Sequence, residues 1–367
     1  LKYIALLSLN SESPTTLTDY TALRLGKFLS RQASVVWVSV SDFCLSGDRA
    51  RILRGLQIEG DRLAECFFPV PIEPAYVFFV HHSIPREYSR CLDLLTQLGE
   101  RGIKTNYDPD AGSLGVKSVL EERCREYETA SGRTVPRPQT ITIRSEQENS
   151  SIIEFMKTAG PCILKPHNSS RSRGISILAN EQEVEQLALG KNLYVVQELL
   201  PEPFLIDGYK TGLRVYLMIH DLKRSYSLSE QGLVKLPARP YVRADPEAEI
   251  VGPHMKRDGN WPAIYLLKDL VNSEHTEGEW KPIRKSIEKT IDLLMEAVSW
   301  RAGMFHRRPP TAQIWGVDLL IQRNGAEFKA YLIEVNTFPA LYREDDFTDG
   351  ILDEVVAAEL FAKALEG

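Results

Sequence analysis

The stretch QIWGVDLLIQRNGAEFKAYLIEVN, residues 313–336, decides the fold. Each half alternates apolar and polar side chains at a period of two, the pattern of a β-strand, and the turn-forming pair Asn324-Gly325 lies between them. In the first half Trp315, Val317, Leu319 and Ile321 share one face, with Asp318 opposite. In the second, Tyr331, Ile333 and Val335 share a face, leaving Leu332, Glu334 and Asn336 on the other. If both apolar faces enter one core, Asp318, Glu334 and Asn336 lie together on the far side of the sheet. A two-residue hairpin at Asn324-Gly325 would set Glu334 opposite Trp315, on the wrong face. The hydrophobic pattern therefore predicts a longer loop, centred near Ala326, that pairs Asp318 with Glu334. Two carboxylates and an amide oxygen on rigid strands are hard ligands suited to Mg2+ bridging substrate phosphates. The polar face of an ordinary hairpin is the alternative reading.

Working outward, the same periodicity predicts strands at 161–165, 175–178, 194–200 and 213–220, and an amphipathic helix over 281–301. A further helix, 113–127, draws its apolar face from Val116, Leu120, Cys124 and Tyr127 and is broken by the proline-bearing GRTVPRP, 132–138. The first hundred residues alternate strand-like runs (3–9, 34–40, 75–81) with amphipathic stretches (16–31, 85–101). That alternation predicts an α/β domain with a mainly parallel sheet. No G-x-G-x-x-G follows the first strand, so this region declares a fold but no phosphate loop.

Composition narrows the classes. A chain of 367 residues exceeds one ordinary core, and 43% hydrophobic with 26% charged residues is the balance of a globular protein. A net charge of −6 argues against a general nucleic-acid binder. The first apolar run, 3–9, is too short for a signal peptide or a membrane span, so a cytoplasmic protein without membrane contact is expected. The five cysteines (Cys44, Cys66, Cys91, Cys124, Cys162) are odd in number and form no C-x-x-C pair, which predicts reduced thiols. His81 and His82 point to opposite strand faces and are assigned no role.

Asp318 followed by Glu334-x-Asn336 resembles the magnesium signature of ATP-grasp ligases. GVDLLI with LIEVNTFPAL is similar to the corresponding stretch of the tubulin tyrosine ligase-like family. So are VVQELLPEPFLIDGYKTGLRVYLMI, 195–219, and ILKPHNSSRSRGISIL, 163–178; the likeness spans 117–341 with gaps. The resemblance implies a fold both α/β and α+β. Its parts would be a Rossmann-like α/β (pre-ATP-grasp) domain over 1–110, a central ATP-grasp subdomain over 111–200, and a C-terminal subdomain over 201–367 bearing the Mg2+ site. It implies an ATP- and Mg2+-dependent carboxylate–amine ligase that forms an amide through an acyl phosphate, joining an amino acid to a protein or peptide. A ligase of small metabolites or short peptides, and an inactive nucleotide-binding scaffold, are the alternatives. The partners would be an amino-acid donor and a protein, peptide or small-molecule acceptor, with no nucleic acid. Tubulin does not follow, because acidic tails call for a strongly basic groove and this chain is net acidic.

Residue by residue, the resemblance implies catalytic roles for Lys165, Arg214 and Glu334, and Mg2+ on Asp318, Glu334 and Asn336. It implies that the backbone of Gln197, Glu198, Leu199 and Leu200 reads adenine, that Lys210 meets ribose or phosphate, and that Lys117 reaches the nucleotide from the preceding domain. His254 begins a faint echo of the family's H-L-T-N segment. The loop 167–174, with Arg173 and Gly174 at its end, would fold over phosphates through backbone N–H groups. Read alone, Lys165 ends a buried strand and is otherwise a snorkelling lysine. Arg214 stands on the polar face of its strand opposite Leu213, Val215 and Leu217, in a phosphate contact or an ordinary ion pair.

Two positions depart from the family pattern. Gly212 replaces an aspartate, and Glu230 replaces an arginine. Lys256, Arg257, Arg239 or Arg243 would restore the lost positive charge. The cluster Arg301, His306, Arg307, Arg308 reads as a solvated basic loop.

Overall fold

A computed structural model describes residues 113–144, 148–169, 173–190, 192–221, 225–251, 264–267, 278–302, 313–337 and 339, together with six strands nearer the N-terminus. These strands are β1 (Tyr3–Ser8), β2 (Ser34–Ser39), β3 (Ile52–Glu59), β4 (Arg62–Pro69), β5 (Tyr76–Phe79) and β6 (Lys104–Thr105), in the order β4-β3-β2-β1-β5-β6. β1 runs parallel to β2 and β5, and β5 to β6, so the three expected strands form the expected parallel core. The antiparallel pair β3–β4 extends that sheet and was not expected. Its signal was in the sequence, since Gly60-Asp61 separates the two strands as hairpin chemistry requires. The amphipathic stretches 16–31 and 85–101, and His81 and His82, lie outside the described residues.

The second sheet joins β7 (Thr140–Ile143), β8 (Cys162–Pro166), β9 (Ser176–Leu178) and β10 (Tyr194–Glu198) in the order β7-β10-β8-β9, antiparallel throughout. One face packs on a helix over 149–159, whose Ile152 and Met156 meet Cys162, Leu164, Leu178 and Val196. Period-two alternation then turns Lys165 and Gln197 to the other face. Helix α1 (Lys117–Ser131) buries Leu120, Cys124 and Tyr127 and stops at Gly132, whose φ of 68° places it in the left-handed region that ends helices. The packing helix is α2 (Asn149–Ala159).

A short hairpin of β11 (Leu205–Ile206) and β12 (Tyr209–Lys210) leads into the main sheet. That sheet comprises β13 (Gly212–Asp221), β14 (Ser225–Lys235), β15 (Ile264–Leu266), β16 (Gln313–Asn324) and β17 (Glu327–Asn336), in the order β15-β14-β13-β16-β17. Helix α3 (Trp280–Ala302) covers one face, presenting Ile283, Ile287, Ile291, Leu294 and Val298 at helical spacing to Leu213, Val215, Leu217, Trp315, Val317 and Leu319. The opposite face is thereby left to polar side chains.

The β16–β17 hairpin corrects the expected loop. Asn324 pairs with Glu327, so the turn is a tight Gly325-Ala326 with Gly325 at φ 60°. The remaining register comes from a bulge: Leu319 faces Leu332, whereas Asp318 faces Glu334, leaving Ile333 unopposed. The bulge also reverses the alternation. Ala330, Leu332 and Val335 are buried and Tyr331 and Ile333 only half-buried, contrary to the face read from simple alternation. Asp318 and Glu334 meet as expected, by a different route. Among the described residues no helix is long and apolar enough to cross a membrane, and Cys124 and Cys162 are free and buried.

Candidate functional site

Three adjacent strands carry the centre of the polar face. The β13–β16 register sets Arg214 directly opposite Asp318, and the β16–β17 register sets Asp318 opposite Glu334. Arg214 binds Asp318 in a fork: Nε donates to Oδ1 at 2.6 Å and Nη2 to Oδ2 at 2.7 Å. The same guanidinium lies 3.8 Å from Glu334 Oε1. Lys235 crosses from β14, its Nζ 3.0 Å from both Asp318 oxygens. Burial alone would raise the Asp318 pKa, but the Arg214 and Lys235 cations outweigh it and hold the carboxyl well below the usual range. Burial pushes Lys235 down, with Asp318 opposing.

Glycines make room for this row. A Cβ on Gly316 would stand 2.9 Å from Pro339 Cβ, which would have to shift, and 3.3 Å from Arg214 Cδ, a tight contact against the arginine stem. A Cβ on Gly212 would stand 2.7 Å from Val251 Cγ1. Val251 occupies the space a side chain at 212 would need.

Glu334 lies at the more exposed end. Its Oε1 accepts from Asn336 Nδ2 at 3.2 Å, and its Oε2 lies 3.5 Å from Lys117 Nζ. Lys117, the first residue of α1, also donates through Nζ to the Ser169 carbonyl at 2.7 Å and through its N–H to the His167 carbonyl at 3.0 Å. The loop expected to cover phosphates is thus tethered beside the carboxylate row. Gly174 closes it at φ 70°, where a Cβ would meet Pro166 Cγ at 2.9 Å, and Ser169 Oγ donates to the Arg173 carbonyl at 2.6 Å. The Arg173 side chain is exposed.

Lys165 is buried, and its Nζ donates to Gln197 Oε1 at 2.6 Å, Gln197 Nε2 in turn donating to Thr140 Oγ1 at 3.2 Å. Burial brings the Lys165 pKa down to about 8, against the pull of Glu334 and Asp318 on the other sheet. Lys165 therefore senses both carboxylates. In the expected adenine-reading segment, the Glu198 N–H donates to Gln139 and the Leu199 N–H to Pro161, each at 3.0 Å, and the Leu199 carbonyl accepts from Arg243 Nη2 at 3.4 Å. Leu199 and Leu200 are buried. Lys210 forms a buried pair with Glu249, at 2.5 Å, and its charge helps to lower the Lys165 pKa.

Lys117, Lys165, Arg214, Asp318, Glu334 and Asn336 are brought together. His254, Lys256, Arg257, His306, Arg307 and Arg308 lie outside the described residues, as do the side chains of Glu230 and Arg301. Arg239 is exposed and paired with Glu247, and Arg243 turns to Leu199, so neither faces Asp318. The basic residue that does is Lys235, which sequence reasoning missed. In GLVKL the inward Val234 implies that Lys235 shares Arg214's face, a signal strand alternation carries. Among the described residues no three His, Cys, Asp or Glu side chains gather to hold a metal unaided. Glu334 and the Asn336 amide oxygen are of the donor type that would suit a Mg2+, and Asp318 would join them if Arg214 and Lys235 released one of its oxygens.

The profile described as the tubulin-tyrosine ligase family matches residues 99–365. Similar proteins include the inactive polyglycylase TTLL10 of Homo sapiens, 25% identical over 276 residues, covering 63% of this chain and 39% of that protein. The tubulin monoglutamylase TTLL4 of Homo sapiens is 23% identical over 218 residues, 53% of this chain and 18% of its own length. The tubulin polyglutamylase TTLL5 of Mus musculus is 26% identical over 235 residues, 56% of this chain and 17% of its own length. The chain thus spans well under half the length of these relatives.

Proposed function

The chain belongs to the tubulin-tyrosine ligase family, and on that premise we propose that it is an ATP- and Mg2+-dependent ligase that joins an amino acid to a protein or peptide through an amide bond. Its architecture is read as ATP-grasp, with a Rossmann-like domain over 1–110 and the two ATP-grasp subdomains over 111–200 and 201–367. The observation that carries the function is the row Arg214–Asp318–Glu334 on neighbouring strands, with Lys165 and Lys117 beside it. Similarity to protein glutamylases favours a protein acceptor over a small metabolite.

In this reading a substrate carboxylate oxygen attacks the γ-phosphorus of ATP, the bond to the β-phosphate oxygen breaks, and ADP leaves. An amine then attacks the acyl carbon, phosphate departs with the bonding pair, and the amine proton passes to solvent. Such chemistry asks the protein for alignment and charge neutralisation more than for covalent help. Arg214 and Lys165 supply fixed positive charge in a partly buried site, where it acts more strongly than in water. Lys117 holds the 167–169 segment against Glu334, positioning the loop over the phosphates. Asp318, Glu334 and Asn336 would hold Mg2+, which when bound neutralises phosphoryl oxygens.

A second reading has its own support. A similar human protein is an inactive polyglycylase, and here Gly212 and Glu230 depart from the family pattern. A protein that binds ATP without turnover is the competing possibility. The discriminating assay is ADP and phosphate release with Mg2+ and pools of amino acids and acidic peptides. The ligase reading expects release that depends on an amino acid and is lost in a folded Glu334→Gln variant. Tight ATP binding with no release from any pool would instead support the nucleotide-binding reading.

A further inference from the structure

We infer that the outer face of α1 is a docking groove for a basic segment of the protein acceptor; that the partner is an acceptor rests on the ligase reading above. One stripe of the helix, Ser118, Glu122, Glu126 and Ala130 at helical spacing, lines a groove of about 460 Å3. Thr142 of β7 and Trp300, near the end of α3, line it too. Leu120, Cys124 and Tyr127 occupy the core on the other side of α1, whereas Glu122 and Ala130 are exposed. Trp300 is 49% exposed. Among the described residues neither its indole N–H nor the Glu122 carboxylate is engaged by a hydrogen bond or an ion pair. A large indole left half in water at the edge of a groove is an interface anchor in waiting, since tryptophan is among the residues that carry binding energy at interface centres.

Charge selects the occupant. The cation of the groove, Arg125, is committed: its Nε donates to Glu121 Oε1 at 2.7 Å and its Nη2 to the Thr140 carbonyl. Glu121 is matched in turn by Arg137, whose Nε lies 2.8 Å from Oε2. The charge presented to a partner is therefore negative, from Glu122 in the same groove as the indole. A lysine or arginine side chain suits both groups, pairing its head with the carboxylate and lying over the ring. An acidic segment would meet like charge. The groove also begins at the candidate site. Ser118 follows Lys117 in the helix, and its hydroxyl lies 3.2 Å from His167 Nδ1, in the loop that Lys117 tethers. From Ser118 to Ala130 the helix runs about 18 Å, a distance that about six residues of extended chain span. A basic segment seated there leaves the residues next to it beside the carboxylate row.

The test is fluorescence anisotropy of a labelled lysine–glycine repeat peptide titrated with wild type, Trp300→Ala, Trp300→Phe and Glu122→Lys, with a glutamate–glycine peptide as control. Trp300→Ala changes no charge, so its expected loss of about fivefold reports the indole, and Trp300→Phe should recover most of it. Glu122→Lys should weaken binding about tenfold. Both positions are exposed, and an unchanged thermal melt by circular dichroism reports that each variant is folded. Binding that neither Trp300→Ala nor Glu122→Lys weakens would reduce the attraction to bulk charge and overturn the inference. So would a wild type that ignores the lysine peptide or binds the glutamate peptide equally well. A dimer that Trp300→Ala dissolves, seen by light scattering, would assign the face to a second copy and overturn it as well. Peptide binding that follows these variants in a protein that binds no ATP would uphold the groove and remove the ligase reading, so the two failures are distinct.

Discussion

Asp318 is the keystone of the polar face, and Asp318→Asn tests that directly. The carboxylate accepts four hydrogen bonds from two cations, and its side chain is 16% exposed. Asparagine keeps the shape but removes the charge, leaving Arg214 and Lys235 facing each other without their shared anion. Breaking a buried pair by removing one partner costs about 3–5 kcal/mol. Since part of the site is open, the lower end, about 3 kcal/mol, is expected. That is a large fraction of a typical folding free energy, yet leaves the protein folded. Urea unfolding followed by fluorescence suits the measurement, because the fully buried Trp315 lies three residues before Asp318 on β16. The double variant Asp318→Asn/Lys235→Met should regain roughly 1–2 kcal/mol, since one of the stranded cations is gone. The effect should also fade in acid. The folded-state pKa of Asp318 is depressed, so its stabilisation is full at neutral pH and drains as pH falls below the unfolded value of about 4. A loss under about 1 kcal/mol at pH 7, or strictly additive effects in the double variant, would refute the claim that the two cations depend on one carboxylate.

Two further outcomes follow from the same geometry. Burial brings Lys165 to about 8, so its charged fraction, and with it ATP affinity, should fall above that pH; a pH series of ATP dissociation constants checks this, and affinity level to pH 10 would remove Lys165 from the phosphate site. The sign for stability is opposite: the fold disfavours the charged form, so Lys165 should add stability as pH rises from about 8 towards its unfolded value near 10.4. Gly212→Asp, although it restores the family residue, should cost about 2 kcal/mol in urea unfolding through overlap with Val251, and Val251→Ala in the same chain should relieve most of that.

Much of this site was legible because strand periodicity is a strong signal where one face is buried. Trp315, Val317 and Leu319 fixed the inward face of β16, and Asp318 was therefore placed correctly. The bulge at Ile333 was not legible, since one inserted residue changes which side chains face the core without changing composition. The hydrophobic pattern demanded that Asp318 face Glu334, and the missing register step was assigned to the turn because turns are where sequence announces irregularity. Lys235 escaped for another reason. It is one lysine in a strand, and its importance lies in which carboxylate it meets two strands away, a relation that depends on sheet order.

That dependence bears on how the two departures should be weighed. Taken one at a time, the loss of an aspartate at 212 and of an arginine at 230 looks like decay of a catalytic site. In the sheet, Lys235 is the register partner of Gly212, and its ammonium reaches Asp318 two strands away. An eroding site would be expected to lose its buried charges, because unmatched buried ions destabilise a fold that no longer uses them. Here Lys165 and Lys235 are buried, and Lys117 and Arg214 half-buried, around Asp318 and Glu334. Keeping this much positive charge out of full contact with water is intelligible if an anionic ligand compensates it. On that argument the cations of the polar face fit the anionic ligand that the proposed nucleotide reading calls for.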